Sequence, residues 1–214
     1  MEIYFFRHGE TDYNANKKMQ GWLDIPLNET GISQARDLSK TLSDVKFDYI
    51  YSSPLSRALE TAKIVAGDTN TKIITDNGLK EWNLGVFCGK VVRLTDAPAD
   101  TPFDINSEIV YIPSALISDE NYVPQNGESH KMFVKRVCDT ITNIAKNTDA
   151  KILGISTHGG VIKALIKQFT NLQYPRSGVP NTGYIKMKWD GKTLTLPEPP
   201  FWLLNQSNSY TGGY

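Results

Sequence analysis

The sequence predicts an α/β fold, a three-layer sandwich whose mainly parallel central sheet is covered by helices on both faces and carries a cap insertion. Short continuous apolar runs recur, at Ile3 to Phe6 and again at Ile152, Leu153 and Ile155, and such runs suit strands buried on both faces. Stretches with helical apolar spacing alternate with them, and that alternation implies crossover connections and parallel pairing. From about residue 91 to 126 the rhythm stops, with Pro98, Pro102, Pro113 and Pro124 and no clean period, which marks the cap. Residues 1–214 therefore read as a single domain with that insertion and a C-terminal tail from about 198 to 214.

Taken in order, the first strand runs Ile3 to Phe6 and ends at Arg7-His8-Gly9. Thr30 is placed to cap a helix with Ile32, Ala35, Leu38 and Leu42 on one face. A second strand, Tyr49 to Tyr51, meets Ser53-Pro54, a pair that favours a helix start because Ser accepts from free amides and Pro suits the first helical position. Leu55, Ala58, Leu59, Ala62 and Val65 line that helix, and Gly67 stops it. Lys72 to Thr75 reads as a third strand. A long amphipathic helix follows from about Glu128 to Lys146, through Met132, Phe133, Val137, Ile141 and Ile144. The strand from Lys151 to Ser156 ends at Thr157-His158-Gly159-Gly160, and a helix carrying Val161, Ile162, Leu165 and Phe169 begins at once. Tyr184 to Trp189 and Thr193 to Leu196 flank Asp190-Gly191-Lys192 as an edge hairpin.

Lys plus Arg and Asp plus Glu both number 23, so bulk charge offers no reason to expect nucleic acid or an anionic membrane as partner. Any anion site must be local. Cys88 and Cys138 are too few for a disulfide framework and lack metal or redox spacing, which fits a reducing cytoplasm. The opening apolar stretch is shorter than a signal peptide's core, and no span approaches the ~20 apolar residues of a membrane helix. The hairpin near residue 191 leaves pairing into a homodimer open.

His8 and His158 each stand just past a buried strand, and open α/β sheets bind ligands outside the carboxyl ends of their strands. Arg57 falls in the first turn of the helix after another strand, and Arg7 adjoins His8. Guanidiniums match phosphate oxygens bidentately, and a helix N-terminus favours anions, so this set suits a phosphate dianion. Gly159 and Gly160 allow backbone to approach a ligand closely.

Arg7-His8-Gly9-Glu10-Thr11 with Asn14 resembles the signature of the histidine phosphatase superfamily, in its phosphoglycerate-mutase-like branch. The resemblance continues through Gln20-Gly21-Trp22, Ser52-Ser53-Pro54-Leu55 with Arg57-Ala58, Thr61-Ala62, Leu79 with Glu81, Gly127-Glu128-Ser129 and Thr157-His158-Gly159-Gly160, in the family order. It implies that His8 is the nucleophile of a phosphatase and that Arg7, Arg57 and His158 hold the phosphate oxygens. Glu81 matches the acid and base, and Asn14, Gln20, Gly21 and Gly159 match phosphate contacts. It implies no cofactor and no metal; the substrate would be a small phosphate monoester. Cys88 stands where family members often carry Glu and is expected to be a semi-buried residue. His130 is expected at the surface, and Trp22 and Trp82 either wall the pocket or pack in the core.

Three rivals remain. A mutase of the same family would need extra cations for a second phosphate, yet from Leu94 to His130 there is no Lys or Arg, while Asp96, Asp100, Asp104, Glu108, Asp119, Glu120 and Glu128 are acidic. A zinc hydrolase would use His8, His158 and Glu81, but adjacent arginines repel a dication. A catalytically silent phospho-ligand sensor would keep the pocket without the chemistry.

Overall fold

In the computed structural model, which describes residues 1–172 and 178–200, the centre is a six-stranded sheet. Its strands are β1 (Glu2–Arg7), β2 (Tyr49–Ser52), β3 (Lys72–Thr75), β6 (Ile152–Thr157), β7 (Tyr184–Trp189) and β8 (Leu194–Thr195), in the order β3-β2-β6-β1-β7-β8. β1, β2, β3 and β6 pair in parallel; β7 turns antiparallel against β1, and β8 against β7. The parallel register sets Arg7 opposite Thr157, so the residues that follow, His8 and His158, leave the sheet side by side.

Alternation along β1 feeds two cores. Ile3 and Phe5 point to the face covered by α5 (His130–Lys146) and α6 (Gly159–Phe169), where Phe133, Val137, Ile141, Val161 and Leu165 pack. Phe6 points to the face covered by α2 (Glu29–Thr41) and α3 (Ser56–Ala66), against Leu38, Ile50, Ala62 and Val65. Phe5 and Phe6 are fully buried, each contributing about 1.5–3 kcal/mol. The three-layer expectation holds.

Several boundaries differ from the sequence expectations. Asn28, not Thr30, caps α2, because its Oδ1 accepts from the Gly31 amide at 2.8 Å. α3 starts at Ser56 rather than at Ser53-Pro54: its N-cap position is Leu55, and the Ser56 amide is satisfied from outside by Asp24 Oδ1 at 2.6 Å. Ser129 caps α5, so Glu128 lies outside that helix. The last strand is shorter than Thr193 to Leu196.

Residues 91–126 are more regular than their composition suggests. β4 (Val91–Thr95) and β5 (Ile109–Pro113) form a separate parallel pair, followed by the short helix α4 (Ser114–Ser118). Val110 and Ile112 meet Phe87, with Phe103, Ile105, Leu116, Ile117 and Tyr122 packed around them. Much of the apolar content of the cap thus fills a small core of its own. Among the described residues no helix is long and apolar enough to cross a membrane. The tail expected from 198 onward lies, beyond residue 200, outside the described residues.

Candidate active site

The loop after β1 is tied down by hydrogen bonds to two distant segments. The Gly9 amide donates to Thr61 Oγ1 on α3 at 3.1 Å, and the His8 carbonyl accepts from Asn181 Nδ2 at 3.2 Å. His8 Nδ1 lies 2.6 Å from the Gly9 carbonyl oxygen. A carbonyl only accepts, so Nδ1 carries the proton and Nε2 keeps its lone pair. The imidazole is 3% exposed, and its pKa is held well below the usual imidazole range by burial first, then by the charges of Arg57 and Arg7. It is a neutral base at neutral pH.

His158 stands opposite, ring centroids 5.2 Å apart and planes inclined at 63°. Its Nε2 is 2.8 Å from Ser53 Oγ, while Nδ1 is buried with no hydrogen-bond partner among the described residues. When Ser53 donates to Nε2, the proton of the neutral ring sits on Nδ1, making that atom a donor for an oxyanion. Burial and the charges of Arg57, His8, Arg7 and Arg136 lower its pKa too. Ser53 missed its expected role as a helix cap because its hydroxyl serves this histidine and the Leu55 amide instead.

Arg57 is fully buried. Its Nη1 and Nη2 donate to the carbonyls of Leu23 and Gly21 at 2.8 and 2.9 Å, and Nε has no hydrogen-bond partner among the described residues. Burial pushes its pKa down to about 10, against the opposing pull of Glu81 and Asp24, so it stays charged. Arg7 donates through Nη1 to the Val179 carbonyl and packs beside Gly159, where a Cβ would come within 3.5 Å of its side chain.

Glu81 reaches the same place from the turn after β3. Its Oε2 accepts from the Gly160 amide at 3.0 Å and its Oε1 from the Trp82 amide at 2.8 Å. His8, His158, Arg7, Arg57 and Glu81 are therefore gathered at one edge of the sheet. Gln20 is 8% exposed, with Oε1 unpartnered among the described residues. Gly21, at φ +50°, gives its carbonyl to Arg57 and would crowd Cys88 Sγ if it bore a side chain. Asn14 lies in the short helix α1 (Asp12–Ala15), its Oδ1 accepting from the Thr11 amide in a capping box and, at 3.4 Å, from the Asn181 Nδ2 that also bonds the His8 carbonyl.

Other expectations need correction. His130 is not a free surface residue; it packs edge-on to Trp82 at 5.3 Å and against Phe133, with its pKa lowered by burial. Trp22 is 40% exposed and neither core nor simple wall, because its Nε1 donates to the Glu81 carbonyl at 2.7 Å. Cys88 is half-buried and burial pushes its thiol up, as expected of a residue that is not a nucleophile. Of the acidic residues ascribed to the cap, Glu108 pairs with Lys18 and Glu128 with Arg136. Sequence reasoning missed Asn181, Arg136 and the half-buried Lys163, whose ammonium pKa is lowered by burial while Glu81 opposes the shift. Lys163 carried a signal, one helical turn beyond Gly159; the other two carried none.

Residues 3–198 match the family model described as histidine phosphatase superfamily, branch 1. The chain is 34% identical over 169 residues to phosphoglycerate mutase-like protein 4 of Arabidopsis thaliana, covering 78% of this chain and 70% of that one. It is 29% identical over 198 residues to a putative phosphoserine phosphatase 2 of Hydrogenobacter thermophilus, covering 91% and 92%. Among solved structures, it is similar to a mycobacterial glucosyl-3-phosphoglycerate phosphatase, at TM-score 0.67 and 27% identity over 87% of this chain and 92% of that one.

Proposed function

The chain belongs to the histidine phosphatase superfamily, and from that premise we propose that it hydrolyses small phosphate monoesters through a phosphohistidine on His8, without a metal ion. The observation that carries this reading is the 2.6 Å contact of His8 Nδ1 with the Gly9 carbonyl, which fixes the tautomer and frees Nε2. In the first step Nε2 bonds to phosphorus as the ester P–O bond breaks, and Glu81 gives its proton to the leaving oxygen. In the second, Glu81 takes a proton from water, the water oxygen bonds to phosphorus, and the P–N bond electrons return to Nε2. Arg7, Arg57 and His158 Nδ1 stabilise charge on the phosphoryl oxygens throughout.

The two guanidiniums bring the positive charge that a metal would otherwise supply, and they would repel a dication. Undiminished turnover in excess chelator is the expected result. Absence of Lys and Arg from Leu94 to His130 supports a monophosphate whose leaving group is apolar, aromatic or neutral and sugar-like over a bisphosphate. Relatives named for phosphoserine and glucosyl-3-phosphoglycerate phosphatases point to monophosphates as well. Phe103, Ile105, Leu116 and Tyr122 are partly buried against the small core of the cap, so this preference rests on the charge of the segment.

Likeness to a phosphoglycerate mutase-like protein favours a second reading, in which the phosphoryl group passes to a second hydroxyl. A panel of aryl phosphates, sugar monophosphates, phosphoserine and bisphosphoglycerate separates the two. Hydrolysis of monoesters, lost in His8→Ala, supports the phosphatase; faster turnover of the bisphosphate, with transfer between hydroxyls, overturns it.

A further inference from the structure

We propose that Arg136, locked by Glu128, is the positioning residue that holds Glu81 in place for proton transfer; the inference rests on the assignment of Glu81 as the acid. Arg136 has five N–H donors and all five are engaged. Nε and Nη2 fork onto Glu128, at 3.1 Å to Oε2 and 2.5 Å to Oε1. Nη1 donates to the carbonyls of Gly78 and Lys80 at 2.9 and 3.0 Å, and Nη2 to that of Glu81 at 3.1 Å. A saturated guanidinium has nothing left for phosphate. Its work is to hold backbone.

The backbone it holds is the one that carries the acid. The Leu79 carbonyl accepts from Thr157 Oγ1, next to His158, and Glu81's also accepts from Trp22 Nε1, so carbonyls 78 to 81 are all held by side chains. Glu128 grips the far side of the same loop: Oε1 accepts from the Asn83 amide and its carbonyl from Trp82 Nε1. Both partners are largely buried, at 21% and 12% side-chain exposure, and hydrogen bonds accompany the ion pair on every side. Such a planar fork is what Lys cannot reproduce.

The test compares Arg136→Lys, Glu128→Gln and Glu81→Gln on two probes, dinitrophenyl phosphate, whose leaving group needs little protonation, and a simple alkyl phosphate, whose leaving group needs it. Glu81→Gln is expected to lower kcat/KM, which reports only the steps up to phosphoryl transfer, by about 10²-fold or more on the alkyl ester and much less on the aryl ester. Arg136→Lys should reproduce that selective loss in kcat/KM, and add little when combined with Glu81→Gln. Equal loss on both probes marks a merely structural residue and overturns the proposal. If Glu81→Gln itself shows no selectivity, the assignment of Glu81 fails instead. Should Arg136→Lys not fold, Glu128→Gln, which keeps the shape but weakens the fork, is read by the same criterion.

Discussion

The amide of Gly160 donates to Glu81 Oε2 at 3.0 Å, and the carboxylate fills the space where a side chain on residue 160 would begin, its Oε1 lying well inside contact distance of that point. Glu81, the proposed acid, is thus seated directly on the first turn of the helix that follows His158. Gly160→Ala must push the carboxyl aside. Misplacement by about 1 Å can cost about 10²-fold in rate. Steady-state kinetics should show kcat reduced by that order on alkyl phosphates, with the melting temperature little changed.

Ser53 supports the second histidine through the 2.8 Å contact with His158 Nε2. Ser53→Ala removes the partner of a fully buried ring and leaves Nε2 unsatisfied, at a cost of about 1–3 kcal/mol in folding stability. It also frees the tautomer. Weaker inhibition by vanadate or inorganic phosphate, measured beside urea denaturation, should accompany the lost stability.

All three histidines of the chain have pKa values lowered in the folded state, His8 and His158 strongly and His130 less. Below the ordinary value of 6.5 the unfolded chain therefore binds more protons than the folded one. Stability is complete above that pH and falls as pH drops through it, because each buried imidazole gains its proton in the unfolded chain before it does in the folded one. Urea unfolding between pH 7.5 and pH 5.5, values chosen to bracket the ordinary imidazole range, should show this decline. It should flatten in a variant lacking both His8 and His158.

Gly21 is held at φ +50°, and a Cβ there would meet Cys88 Sγ at 2.5 Å. Its carbonyl also orients Arg57. Gly21→Ala should cost about 1–3 kcal/mol in stability from the backbone alone and raise KM for every phosphate ester, since the displaced guanidinium is the one proposed to hold the phosphate they share. A change confined to one substrate would contradict that role.

The sheet and both histidines were legible because their signals are local: an apolar run, then a polar residue at its end. β1 and β6 could be read directly, and their parallel register does the rest by setting Arg7 beside Thr157. Local propensity marks Ser53 as a helix cap, while the tertiary structure gives its hydroxyl to His158, 105 residues away. β4 and β5 were hidden by surrounding prolines and acids, and only pairing with each other makes them strands. Arg136 was invisible for the same reason, since three of its partners are carbonyls 55 to 58 residues distant that any sequence would supply.

A neutral imidazole at residue 8 taking the phosphoryl group is the central claim. The most direct test mixes the enzyme with excess labelled aryl phosphate, quenches in alkali within milliseconds, and locates the label after digestion. Alkali-stable, acid-labile phosphate on His8, absent in His8→Asn, is the result expected. Turnover that continues in His8→Asn, or label found on another side chain, would contradict the account.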